Sequence, residues 1–117
     1  MKINDEFLSI DHLKVCAGEM LGVDPEKIRV SLQQCILGVD STLKFSGVAF
    51  ILRANFLRTA TGNGNFFVCS LKNDNTCIVN YNSGSIPRIY EISTFADKIV
   101  TSTSGETCFV YYEFTVF

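Results

Sequence analysis

Between Thr42 and Arg58 the chain reads TLKFSGVAFILRANFLR, its longest apolar run, with a single arginine inside it. Any fold must take that run out of water. At period two it separates into Val48, Phe50, Leu52, Ala54 and Phe56 on one side and Ala49, Ile51, Arg53, Asn55 and Leu57 on the other. One side is wholly apolar and the other is interrupted twice, the pattern of a strand covered on one face and partly covered on the second. A helix would place Asn55 on the face shared by Val48, Ile51 and Leu52, and Phe50, Ile51 and Phe56 favour extended backbone. A membrane span needs ~20 apolar residues, and Lys44 and Arg53 bracket too few. The run is therefore expected to be the central strand of a sheet.

The remaining segments read as an α+β chain. Ser9 can cap a helix over residues 10–21, with Asp11 in its first turn and Gly22 placed to end it in the left-handed conformation. Ile10, Leu13, Ala17, Met20 and Leu21 form its apolar stripe. Residues 24–37 fit two readings. Asp24-Pro25-Glu26 is a sound helix start, and Ile28, Leu32, Cys35 and Ile36 share a helical face. Ile28, Val30 and Leu32 also alternate with Arg29, Ser31 and Gln33, as in a strand. Beyond residue 42 the chain punctuates itself with turns. A Gly/Asn loop covers 59–65, and Asn73-Asp74-Asn75 and Ser104-Gly105-Glu106 make three-residue hairpin connections. Short strands are expected at 86–92 and 99–103, with one helical turn at 93–97. Thr76–Tyr81 and Thr107–Tyr112 share a Thr-Cys start, which similar packing demands explain without a repeat.

With 117 residues and no linker, the chain is expected to be a single domain over 1–117, its helical part about 9–37 and its β part about 42–117. One or two N-terminal helices would pack on a mainly antiparallel sheet of five to six strands. The last strand, CFVYYEFTVF, puts Cys108, Val110, Tyr112, Phe114 and Val116 on one face and Phe109, Tyr111 and Phe117 on the other. A face that aromatic must be covered, by the helices or by another chain.

Chemistry is sparse. The net charge of -2 gives no field for nucleic acid. The five cysteines include no CxxC, and MKINDEFLSI lacks the pattern of a signal peptide. Cys16, Cys35, Cys69, Cys77 and Cys108 are thus expected as free thiols in a reducing, cytoplasmic setting, with no membrane involvement. His12 and Cys16 would share a helix face, but a nucleophilic pair needs a third, orienting group. His12 and the cysteines are too scattered for a zinc site, and no phosphate loop or other cofactor motif occurs, so no metal or cofactor is expected.

The expectation is a non-enzymatic protein–protein interaction or assembly module, a homo-oligomer or a virus or phage structural or accessory protein. Its contact residues would be Arg53, Asn55, Arg58, Asn63, Phe109, Tyr111 and Phe117, with the C-terminal strand adding to the edge of another sheet. The alternative is a small β-domain that binds single-stranded nucleic acid or a small ligand through Arg53, Arg58 and nearby aromatics such as Phe45, Phe56, Phe66 and Phe67. Whether the helices cover Arg53 and Asn55 decides between a structural and a contact role for that face.

Overall fold

A computed structural model of the chain describes residues 9–38, 40–58, 65–70, 76–81, 89–101 and 106–117, with the backbone alone described between 56 and 81. It shows one helix packed with an antiparallel sheet, an α+β arrangement. The elements are helix α1 (Ile10–Leu21) and strands β1 (Ile28–Leu37), β2 (Thr42–Arg58), β3 (Asn65–Ser70), β4 (Thr76–Tyr81), β5 (Ile89–Thr101) and β6 (Glu106–Val116). The strand order is β1-β6-β2-β5-β3-β4.

The helix begins and ends as its sequence dictates. The Ser9 side chain accepts from the His12 amide, satisfying one of the first-turn donors, and Gly22 closes the helix at φ 73°. The Val23 amide then donates to the Gly18 carbonyl at 2.9 Å. The buried stripe is narrower than expected. Leu13 and Ala17 are buried, whereas Ile10 and Met20 are exposed at 37% and 47%. The second helix does not form. Asp24 caps only a single 3-10 turn, Pro25–Lys27, and residues 28–37 enter the sheet, so the helical part stops at Leu21. Strand pairing prevails there because β1 aligns with β6 over ten consecutive positions, from Ile28 opposite Val116 to Leu37 opposite Thr107.

One connection governs the shape of the sheet. Leu37 stands opposite Thr107, and Thr107 opposite Phe56, so the end of β1 lies level with the end of β2. Yet β2 begins at Thr42, five residues after Leu37. Five extended residues reach at most ~17 Å, whereas a straight strand from Thr42 to Phe56 would be about 45 Å long. Strand β2 must therefore bend back. It does so where it leaves β6: its pairing with β6 starts only at Val48, and against β5 it advances from Lys44 to Ala49 while β5 moves only from Lys98 to Ala96. Gly47 sits in this bulge, with its backbone pressed on β6. A Cβ there would fall on the Phe114 carbonyl oxygen. The free end is then tied down. Thr101 Oγ1, on a residue 1% exposed, donates to the Gly38 carbonyl at 2.9 Å and accepts from the Ser41 amide at 3.0 Å.

Folding the sheet over itself makes two cores. The inner one holds Phe45, Ala49, Ile51, Ala54, Ala96, Ile99, Phe109 and Tyr111. Phe45, before the bend, meets Tyr111 edge-on at 5.0 Å between ring centroids. The outer core lies under α1 and holds Leu13, Ala17, Ile28, Val48, Phe50 and Phe114. Phe95 joins Phe50 and Phe114 in a ring cluster at 4.9 and 5.9 Å. Phe109 and Tyr111 of β6 are thus covered by the sheet's own folded half, while Phe117 stays exposed. Each large side chain so buried contributes about 1.5–3 kcal/mol.

Strand β5 also departs from expectation. Residues 89–101 form one continuous strand, with no helical turn at 93–97. Ser93 takes φ 53°, and between Glu91 and Thr94 β5 carries one more residue than the facing Arg53–Ile51 segment of β2. This is a bulge, a kink inside a strand, not a break between two. The Gly/Asn loop, Pro87 and the hairpin connections at 73–75 and 104–105 lie outside the described residues.

Two substitutions test the bend. Gly47→Ala is expected to destabilise the chain by about 1–3 kcal/mol or more in urea unfolding, because the methyl meets backbone. Gly38→Ala, where a Cβ meets nothing within 4 Å, serves as the control. Thr101→Val is expected to cost about 1–3 kcal/mol, since it removes the hydroxyl that bonds the Ser41 amide and the Gly38 carbonyl.

Candidate functional site

The expected contact residues do not gather in one place. Phe109 and Tyr111 are buried, at 0% and 6% exposure, and belong to the inner core rather than to a contact surface. Strand β6 lies between β1 and β2, so it cannot add to another sheet by its edge. Phe117 is 65% exposed, with the Arg29 guanidinium carbon 5.1 Å from its ring centroid. Arg58 is described in backbone only, opposite Glu106, and Asn63 lies outside the described residues.

Arg53 and Asn55 move to the other face of β2. Between Ile51 and Arg53, β2 advances two residues while β6 advances one, from Tyr111 to Val110. That extra residue inverts the alternation. Ala54 joins Ala49 and Ile51 in the inner core, although simple period-two reading places it with Val48 and Phe50. Arg53 is exposed and Asn55 half-buried, on the side that carries α1 but past the end of its cover. Arg53 faces Glu91 directly across the strands. Phe45, a candidate stacking surface, is 9% exposed within the inner core.

The same outer face, on β1, shows an arrangement the sequence left hidden. The Phe117 amide donates to the Lys27 carbonyl at 3.0 Å, which fixes the direction of the backbone groups along β1. Lys27 and every second residue after it turn their N–H and C=O toward β6. Val30, Leu32, Gln34 and Ile36 turn theirs to the open edge. The register with β6 carries no shift, so this alternation persists along the strand. Among the described residues nothing pairs with that edge. Leu32 and Ile36 also stand 62% and 58% exposed on the outer face. Residues 30–37 contain no charge and no proline, the usual protections of a strand edge.

The other described side chains with reactive groups are few and scattered. His12 Nε2 and Cys16 Sγ approach to 4.0 Å on an open helix face. Among the described residues no three His, Cys, Asp or Glu side chains come together as a metal set. No described helix is long and apolar enough to cross a membrane. Cys16, Cys35 and Cys108 are free thiols. Burial pushes the Cys35 thiol up, against a hydrogen bond from the Tyr111 hydroxyl that pulls it down, so the thiolate needed for nucleophilic attack is disfavoured. Burial, and then the nearby Cys35, push Tyr111 up from 10.0 to about 12.

That pair is expected to make the fold alkali-sensitive. Both groups are favoured neutral in the folded chain, so the stability they lend is complete below their ordinary values of 9.0 and 10.0 and is lost as pH rises toward about 12. Urea midpoints measured from mildly alkaline pH upward are expected to fall across that window, and Tyr111→Phe is expected to flatten the upper part of the decline.

No protein-family model, curated protein or solved structure matches the chain.

Proposed function

We propose that the chain is a non-enzymatic protein–protein interaction or assembly module whose contact element is the open edge of β1. One observation carries this reading. A bulge-free edge strand, uncharged over residues 30–37, presents outward-turned backbone groups beside two large exposed apolar side chains, Leu32 and Ile36. Unpaired strand edges of this kind recruit a further strand, with main-chain hydrogen bonds supplying affinity and alternate side chains supplying selectivity. The outer face of β6 extends the apolar ground through half-buried Val110 and Tyr112. A structural or accessory role in a larger particle, as in a virus or phage, is one setting for such a module. Single-strand nucleic-acid binding has less support, since Arg53 is faced by Glu91 and Phe45 is interior.

The test is chemical crosslinking in the cells that express the chain, comparing wild type with a Leu32→Lys/Ile36→Lys variant. Both positions are exposed, so the variant is expected to keep its far-UV circular dichroism and lose the crosslinked species. Identical crosslinked species from a folded variant would exclude β1 as the contact element.

A further inference from the structure

We infer that the strand received by the β1 edge is β1 of a second copy, in an antiparallel pairing whose two-fold axis passes through Gln34; this rests on the assembly reading above. Only pairings that bring outward-turned residues opposite one another can form main-chain hydrogen bonds, so Leu32, Gln34 and Ile36 must meet outward-turned, even-numbered residues of the partner's β1. Centring the axis on Gln34 sets Leu32 opposite Ile36 of the second copy, and the symmetry repeats that contact. Both strongly exposed apolar side chains of β1 are then matched to each other. Centring on Leu32 would instead oppose exposed Ile36 to Ile28, which is already buried under α1. Centring on Gln33 would oppose Leu32 to Gln34.

Charge and symmetry point the same way. Ser31–Leu37, the segment that pairs with itself, carries no charged residue, and Arg29 falls beyond its end, so the paired segment itself places no like charges opposite one another. The two Gln34 amides meet at the axis, where each can donate to and accept from the other. The contact is isologous and closes as a dimer, in which the two sheets run on as one. The two α1 helices, each seated over the Ile28 end of its own β1, lie at opposite ends of the joint and do not collide.

The purified full-length chain in reducing buffer is expected to sediment as a concentration-dependent dimer. Leu32→Glu alone should weaken the dimer at least tenfold. Leu32→Glu/Ile36→Lys should restore it, because each introduced carboxylate then faces an introduced ammonium group across the axis. Gln34→Cys, treated with glutathione disulfide as oxidant, should form an intermolecular bond between the two introduced thiols. Two thiols become one disulfide there as the oxidant is reduced to two glutathione thiols. Peptide mass mapping distinguishes that bond from bonds to the native cysteines.

A wild-type chain that stays monomeric up to about 1 mM overturns the self-pairing. A wild-type dimer that Leu32→Glu/Ile36→Lys fails to restore, in a variant with native circular dichroism, overturns the Gln34-centred register. A monomer whose Leu32 and Ile36 are nonetheless required for crosslinking to a different chain overturns the second copy and leaves the assembly reading standing.

Discussion

The short connection from Leu37 to Thr42 is the constraint on which the rest of the structure depends. It is too short to let β2 run straight beside β6, so the sheet folds across itself at Gly47. That single bend solves the problem of a long strand that is apolar on both faces. One face of β2 goes under α1 and the other goes into the crease of the folded sheet. Both sides of the central strand are thereby buried with a single helix among the described residues. The Thr101–Ser41–Gly38 hydrogen bonds hold the crease shut at its open end.

The bulges beside the bend decide where polar chemistry can appear. The extra residue near Leu52 inverts the alternation of β2, and Ser93 makes a matching adjustment in β5. Ala54 is drawn inward as a result, while Arg53 and Asn55 are released to the outer face. Arg53 stands opposite Glu91 in the neighbouring strand. Among the described residues the outer face divides into a part sealed by α1 and a more exposed part, and the β1 edge borders the latter.

That border separates stability from interaction in this fold. The aromatic content of the C-terminal strand supplies the cores: Phe109, Tyr111 and Phe114 are buried, and β6 has a neighbour on each side. Among the described residues β1 has a neighbour on one side only, and it carries no aromatic residue. Large exposed apolar side chains and outward-turned backbone coincide along it.

The sequence by itself determined the helix with both of its ends, the strand nature and central place of Thr42–Arg58, the free thiols at Cys16, Cys35 and Cys108, and the need to cover Phe109 and Tyr111. These follow from local rules: a capping serine, a glycine at positive φ, alternation, and the cost of leaving aromatics in water. Tertiary structure decided the rest. Residues 28–37 satisfy helical and extended patterns equally, and only a partner strand, β6, could choose between them. Once they are extended, Leu32, Gln34 and Ile36 fall on one face, a signal already present in their spacing but unreadable while the helix remained open. The faces of Arg53 and Ala54 were beyond sequence for a different reason. A bulge of one residue reverses every side chain after it, and the bulge arises from the mismatch of two neighbouring strands, not from any residue in one of them.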